Sequence, residues 1–126
     1  MNVPEHLRYT SDHEWARAES DGVRIGITDY AQDSLGDVVF VQLPSPGSRV
    51  AAGESIAEVE STKSVSDIYA PLDGTVTQVN QELVDAPQRL NEDPYGEGWL
   101  CVIAPDGDSG IGSLLDADGY RSLIEG

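Results

Sequence analysis

Short strand-like segments, separated by glycine and proline, run along most of the chain. Over residues 22–27, three aliphatic side chains alternate with Arg24 and Gly26, which is the two-residue period of a strand with one covered face. Comparable patterns predict further strands at residues 7–10, 13–18, 55–61, 64–70 and 74–79. A chain with many short strands and few helices is typical of a mainly β fold.

Two segments are apolar on both faces. Residues 38–43 and 99–103 lack polar alternation, and we expect both to form central strands that are covered on each side. Trp99 has apolar neighbours and is expected to be buried. The single cysteine, Cys101, lies in the same segment, so we predict a buried structural thiol.

Two helices are predicted. Thr28 can act as the N-cap of the first, with Asp29 in the first turn and Gly36 at its end. A C-terminal helix over about 116–124, capped by Asp116, would present three side chains on one face: Tyr120, Leu123 and Ile124. Residues 105–112 contain three glycines and are expected to form a flexible connector.

Length and composition favour one globular domain over residues 1–126, because this length supports one core and not two. The hydrophobic fraction of 39% is ordinary for a globular protein. No apolar run approaches the roughly 20 residues that a membrane helix needs. Residues 1–7 lack the basic and apolar regions of a signal peptide, so we expect a cytoplasmic location.

Acidic residues dominate the charge. The chain has 23 Asp and Glu against seven Lys and Arg, for a net charge of −16. Such a surface repels nucleic acid and anionic membranes and attracts proteins with basic patches, although solubility alone would also explain it. His6, His13 and Cys101 lack the paired spacing of a zinc site, so no metal is expected.

Lysine occurs once, at Lys63, whereas arginine occurs six times. A cofactor attached through a lysine amide would therefore have one possible attachment site, although codon bias toward arginine would also leave a single lysine. Residues 55–70 predict a hairpin whose short polar tip holds Lys63 in solvent. On the hairpin alone, an ordinary lysine at a surface turn is the alternative interpretation.

The hairpin resembles the lipoyl attachment site of glycine cleavage H proteins. That pattern is Glu-Ser-x-Lys, two or three residues, then Ser-Asp-Ile-Tyr-x-Pro, which residues 60–63 and 66–71 match. The resemblance extends from about Leu7 to Ile124. It includes further segments in the same order: His13-Glu14-Trp15, residues 26–32, 35–37, 79–80, 93–96 and 98–100.

The resemblance implies a fold and a function. The implied fold is mainly β, a lipoyl/biotinyl-carrier-type β-sandwich (barrel-sandwich hybrid) with short helices at the edge and C-terminus. The implied cofactor is lipoate, attached covalently to Lys63 as lipoyl-lysine. The implied role is that of a non-catalytic carrier, which moves the aminomethyl group of glycine between enzymes.

The same resemblance implies four partners. A pyridoxal-phosphate-dependent glycine decarboxylase (P protein) loads the carrier, and a tetrahydrofolate-dependent aminomethyltransferase (T protein) unloads it. Dihydrolipoamide dehydrogenase (L protein) reoxidises the dithiol, and a lipoate-attachment enzyme modifies the lysine. Thiol–disulfide chemistry of the lipoyl sulfurs lets the arm accept a group and be reset.

Two carboxylates are candidates for a second role. By resemblance, Glu14 and Asp67 lie near the cleft in which the loaded arm rests, and a carboxylate there would hold the cationic amine by a charge-assisted hydrogen bond. The alternative is that both are solvated acids of a very acidic surface. Three positions depart from the expected pattern: Asp12 stands where a small polar residue is common, Ser64 where alanine is common, and Cys101 where a polar residue is common.

Other functions have less support from the motifs. Biotinyl carriers place methionines beside their lysine, whereas Thr62 and Ser64 stand here. Lipoyl domains of 2-oxoacid dehydrogenases usually show Asp-Lys-Ala and continue into linkers and a catalytic domain. No nucleophile motif or glycine-rich phosphate loop indicates an independent enzyme. A purely structural interaction module is the remaining alternative.

Overall fold

The computed structural model describes residues 2–107 and 111–125. The strands are β1 (Arg8–Tyr9), β2 (Glu14–Glu19), β3 (Gly22–Ile27), β4 (Val38–Gln42), β5 (Arg49–Val50), β6 (Ser55–Ser61), β7 (Val65–Tyr69), β8 (Gly74–Val79) and β9 (Cys101–Pro105). The helices are α1 (Asp29–Leu35), α2 (Glu82–Asp85), α3 (Arg89–Glu92) and α4 (Ala117–Glu125). Within the described ranges, no helix is long and apolar enough to cross a membrane.

The strands form two antiparallel sheets. The larger has the order β1-β2-β3-β9-β8-β5, and the smaller has the order β4-β6-β7. Val41, Val59 and Ile68 of the smaller sheet pack in one cluster with Ile27 and Leu100, so the two sheets share a core. The protein is therefore mainly β with short helices, and the predicted fold class is confirmed.

Strand β9 lies in the middle of the larger sheet, between β3 and β8. Cys101, Val102 and Ile103 are fully buried, which confirms the prediction of a covered strand. Burial raises the pKa of the Cys101 thiol to about 12, so this group stays protonated at neutral pH. Trp99 is only partly buried, and its ring lies 4.2 Å from the guanidinium carbon of Arg24. The expected burial of Trp99 was wrong.

Strand β4 is not the central strand that its apolar sequence predicted. It lies at the edge of the smaller sheet, paired only with β6. A register shift between Val38 and Phe40 leaves Val39 without a partner in the ladder. Val39 and Phe40 are consequently 50% and 49% exposed. The continuous apolar run therefore reflects a β-bulge and not a strand that is covered on both faces.

Helix α1 forms as predicted. The Thr28 hydroxyl accepts a hydrogen bond from the backbone N–H of Ala31 at 3.2 Å, which satisfies a donor of the first turn. The helix ends at Gly36, whose φ of 80° favours glycine.

Helix α4 begins and ends close to the predicted bounds. The Asp116 carboxylate accepts a hydrogen bond from the backbone N–H of Gly119 at 2.8 Å. Tyr120 is fully buried, whereas Leu123 is 44% exposed, so the predicted apolar face of this helix is covered only in part. The middle of the predicted 105–112 connector lies outside the described residues.

Candidate functional site

The tip of the β6–β7 hairpin is fixed by one serine. The hydroxyl of Ser61, which is 6% exposed, accepts hydrogen bonds from the backbone N–H groups of Lys63 and Ser64, both at 3.1 Å. The backbone N–H of Ser61 donates to the Ser64 carbonyl at 2.8 Å, and that of Thr62 donates to the Asp37 carbonyl at 3.1 Å. The exposed Lys63 is therefore presented on a fixed turn that is tied to the junction between α1 and β4.

The stem of Lys63 lies across Gly36. A β-carbon built on Gly36 would lie 2.9 Å from Cε of Lys63 and 3.6 Å from its Nζ. The junction itself is held by Asn91, whose Nδ2 donates to the Gly36 carbonyl at 2.8 Å and whose Oδ1 accepts from the Val38 N–H at 2.9 Å. The bare α-carbon of Gly36 thus makes room for the lysine stem at the end of α1.

A cavity of about 290 Å³ opens beside this lysine, between α1, β7 and the turn that precedes β2. The volume is near the lower end of small-ligand sites. Apolar side chains form one part of its wall: Ile27, Ala31, Leu35 and Ile68. Polar side chains form another part: Asp12, His13, Tyr30, Ser64 and Ser66. A partly apolar arm with a polar end would match such a wall.

The turn before β2 is held in place by Thr10. Its hydroxyl accepts from the backbone N–H groups of Asp12 at 3.2 Å and Glu14 at 3.3 Å. The same hydroxyl donates to the Glu14 carboxylate at 3.0 Å. This turn leaves the side chain of Asp12 exposed at the cavity and directs Glu14 into the protein.

His13 adopts a strained backbone conformation at the cavity wall. Within the described ranges it is the one non-glycine residue with positive φ, at 69°. Its Nδ1 lies 2.8 Å from the hydroxyl of Tyr120, which lies 2.7 Å from the Thr28 hydroxyl, and its ring packs 4.7 Å from that of Tyr30. Burial lowers the pKa of His13, so the imidazole is neutral at neutral pH.

Glu14 is buried between the two sheets. Its side chain is 1% exposed, and its Oε2 accepts a hydrogen bond from the backbone N–H of Tyr69 at 2.8 Å. Burial raises the pKa of this carboxyl to about 7, although the hydrogen bonds from Tyr69 and Thr10 oppose the shift. Glu14 therefore joins the larger sheet to the free edge of β7, and it does not line the cavity.

Asp67 lies on the outer face of the hairpin. It is exposed, stands directly across from Glu58 in the β6–β7 ladder, and accepts a hydrogen bond from the Ser55 hydroxyl at 3.3 Å. Its neighbours Ser66 and Ile68 point to the opposite face and line the cavity. Lys63 does not line the cavity, but the next residue, Ser64, does, and the Lys63 stem lies over Gly36, which adjoins Leu35 of the wall. Glu14 and Asp67 are also outside the cavity lining.

A protein-family profile described as "Glycine cleavage H-protein" matches residues 7–126 of the chain. The chain belongs to this family. Glycine cleavage system H proteins of Mycolicibacterium vanbaalenii and Nocardia farcinica are 59% and 60% identical to it, and the alignments cover at least 96% of each chain. A crystal structure of a glycine cleavage system H protein from Mycobacterium marinum matches with a TM-score of 0.88 and 47% identity, over 98% of this chain and 99% of that one.

Several residues that shape the site in this family member were missed by sequence reasoning. Ser61 was quoted only as part of the motif, although a serine that bonds backbone groups two and three residues ahead is a known turn signal. Gly36 was interpreted only as a helix stop. The role of Asn91 depends on contacts with residues 53 and 55 positions away, which no local pattern specifies. The hydroxyl of Thr10 bonds backbone groups two and four residues ahead, a local turn signal that was also missed. Asp12 was noted only as a departure from the family.

The contact between Gly36 and Lys63 predicts a defect in modification. Gly36→Ala would displace the end of the Lys63 side chain, and because this exposed side chain is flexible we expect lipoyl attachment to slow by only about twofold. Gly47→Ala is the matched control, because Gly47 also has positive φ, at 90°, but no atom lies within 4 Å of its built β-carbon. Intact-mass time courses measure attachment, and thermal melting measures the strain that both variants share. Equal attachment rates in the two variants would contradict the prediction.

Proposed function

We propose that this protein is the lipoyl-bearing carrier of a glycine cleavage system, with lipoate attached to Lys63. One observation carries the proposal: an exposed lysine on a fixed hairpin tip directly precedes Ser64, a residue of the cavity wall, in a chain of this family. The carrier takes the aminomethyl group of glycine from the decarboxylase to the aminomethyltransferase, and it acts in the cytoplasm without catalysis of its own.

The residues around Lys63 fit a covalently held arm. When bound, lipoate supplies the reversible dithiol–disulfide chemistry. Ser61 fixes the backbone beneath the attachment point, and Gly36 leaves space for the lysine stem. The apolar cavity wall, which includes Leu35 and Ile68, would cover the hydrocarbon part of such an arm. These residues position and shelter the group, while its sulfurs do the chemistry.

The outer face of the hairpin fits docking by basic partners. Glu58 and Asp67 stand opposite each other, and two like charges in a directly opposed pair destabilise a sheet. Glu60, the next residue of β6 on the same face as Glu58, lies nearer the tip and across from the exposed Val65. Such a face supports encounter with proteins that carry basic patches. We propose the P, T and L proteins and the lipoate-attachment enzyme as these partners.

The contacts of Glu14 and Asp67 with the loaded arm stay predictions. The carboxylate oxygens of Glu14 already accept hydrogen bonds from Tyr69 and Thr10, and Asp67 is on the outer face. A role for either residue in holding the arm would need a movement of the hairpin or of the turn before β2. Both residues also have a simpler role in the described structure: Glu14 anchors β7, and Asp67 contributes to the acidic face.

Intact mass spectrometry of the protein from its native host tests the proposal. We expect one added lipoyl group, mapped to Lys63 by peptide analysis, and a charge change from −16 to −17 (−16 − 1) because the ammonium becomes an amide. A biotinyl group in its place would identify a different class of carrier. A chain that never gains a covalent group would support a structural module and would refute the proposal.

A further inference from the structure

Exposed apolar side chains gather on the small sheet that carries Lys63 at the end of its hairpin. Among the residues that the structure describes, five large apolar side chains are exposed, and three of them belong to this sheet: Val39, Phe40 and Val65. Phe40 is the only phenylalanine of the chain. An exposed apolar surface that is rimmed by polar residues is typical of a contact with another protein.

Phe40 and Val65 lie in the row of the smaller sheet that is nearest the tip. Phe40 pairs with Glu60 in the β4–β6 ladder, and Glu60 pairs with Val65 in the β6–β7 ladder. Directly opposed residues share a face, so the two apolar side chains stand on either side of the Glu60 carboxylate, about 10 Å apart. We call these three residues the tip row. The next row is polar and exposed: Gln42, Glu58 and Asp67.

The bulge in β4 makes Phe40 face outward. Val38 and Val41 are both buried, although an unbroken strand would turn residues three apart to opposite faces. The register shift between Val38 and Phe40 adds one residue, which keeps both valines in the core while Phe40 turns to solvent. Bulges re-aim side chains in this way beside functional sites. An exposed phenylalanine contributes little to the core, so its placement points to a contact outside the chain.

The tip row is held at a fixed place relative to the lysine. The N–H of Thr62 donates to the carbonyl of Asp37 at 3.1 Å, and Asp37 directly precedes β4. Ser61, which follows Glu60 in β6, accepts from the N–H of Lys63 at 3.1 Å. A protein that binds the tip row would therefore meet the lysine at a defined position, and the carrier would lose little freedom on binding.

The partner that must contact this row is the one that acts on Lys63 itself. Enzymes that act on the lipoyl sulfurs meet the carrier at the far end of the arm. The lipoate-attachment enzyme acts on Nζ, so its surface must come against the tip and the residues beside it. The tip row and the row behind it contain three acids and no arginine or lysine. Charge complementarity therefore calls for basic groups around an apolar contact.

We propose that Phe40 and Val65 form the docking surface for the lipoate-attachment enzyme, which contacts them through an apolar pocket with a basic rim. The inference rests on the proposed function, because it needs a lysine that accepts lipoate. The two side chains bind and orient the enzyme and take no part in the acylation. Their apolar contact slows release of the enzyme, whereas the carboxylates of Glu60 and Asp67 speed the encounter.

Attachment kinetics of the whole unmodified protein, with the attachment enzyme of its native host, test the inference. Intact mass gives initial rates at increasing carrier concentration. We expect Phe40→Thr to raise the KM about tenfold and Val65→Thr about threefold, with kcat within about twofold, because the lost contact contributes to binding only. Threonine is β-branched and suits a strand. Phe40→Leu stays apolar and should restore most of the affinity.

Leu123→Thr is the matched control, because Leu123 is also exposed but lies on α4, outside the smaller sheet. Thermal melting shows whether each variant is folded, and Val65→Thr decides the test if Phe40→Thr is not. The effect of Phe40→Thr should persist at about 0.5 M salt, where the Debye length is about 4 Å, whereas the effect of Glu60→Gln should vanish. An effect of Phe40→Thr that vanishes with salt would contradict an apolar contact.

The outcomes separate this inference from the function on which it rests. Equal KM values for folded Phe40→Thr and Leu123→Thr would overturn the docking surface, and so would a lower kcat at unchanged KM. An equal rise in the KM of dihydrolipoamide dehydrogenase for lipoylated Phe40→Thr would overturn the assignment to the attachment enzyme. Lys63 would still take up lipoate in these cases, so the proposed function would stand. A wild-type protein that takes up no lipoate would refute both.

Discussion

Lys63→Arg is expected to fold normally, to accept no lipoate and to support no exchange of CO₂ with glycine. Arginine keeps the positive charge but offers no primary amine that can be acylated. Because the side chain of Lys63 is exposed, the free energy of unfolding should change by less than about 0.5 kcal/mol. Intact mass, thermal melting and an exchange assay with the decarboxylase measure the three properties.

A second substitution tests whether a primary amine at another position can replace Lys63. Arg49→Lys introduces a primary amine at an exposed position of β5, outside the hairpin, where it can keep the ion pair with Asp106. The double variant Lys63→Arg/Arg49→Lys therefore contains one lysine, at the wrong place. It should remain unmodified, since the hairpin tip and not the amine alone is recognised. Activity retained by Lys63→Arg would rule out the proposed attachment site.

Glu14→Gln should remove a large pH dependence of stability. Burial raises the pKa of Glu14 to about 7, against an ordinary value of 4.5. A raised pKa means that the folded state holds the proton more tightly than the unfolded state does. The resulting stabilisation is complete below about pH 4.5 and is lost as the pH rises through about 7, by about 3 kcal/mol in total.

The glutamine variant has no such titration. Its amide can accept from the Tyr69 N–H and donate to the Thr10 hydroxyl, so the link between β2 and β7 can persist. We expect the two proteins to be similarly stable near about pH 5, and the variant to be the more stable above about pH 8. Denaturant titrations at both pH values give the free energies of unfolding. The exposed acid Glu58, changed to Gln, provides the control, and a Glu14→Gln curve parallel to the wild type would refute the prediction.

The sequence was informative where a local rule determines the structure. Strand β3 and helix α1 match their predictions because alternation, an N-cap threonine and a glycine stop act within a few residues. The hairpin with Lys63 exposed at its tip was predicted in the same way, whereas only the resemblance assigned this lysine a cofactor. The prediction that β4 is a central strand was wrong because a bulge turns two successive apolar residues outward. Hydrophobic periodicity cannot distinguish such a bulge from a strand that is covered on both faces.

The site was harder to predict because contacts distant in sequence define it. Glu14 was expected at a cleft or on the surface. It is instead buried against β7, where it bonds Tyr69, a residue 55 positions away along the chain. The resemblance supplied Glu14 and Asp67 but not the faces on which they lie. The sequence marked Asp12 only as a departure from the family pattern. Its place in the wall of the same cavity as β7 could not be predicted, because no local pattern shows that the two segments lie side by side.

The burial of Cys101 protects this thiol from disulfide exchange with a dithiol arm. A dithiol that opens and closes in every cycle forms mixed disulfides with any accessible thiolate that it meets. Cys101 is the only cysteine of the chain, and it is enclosed in the middle strand of the larger sheet. Neither the arm of the same molecule nor that of a second copy can be trapped by it. While the proposed arm is reduced and reoxidised, Cys101 would therefore cause neither self-inactivation nor covalent dimers.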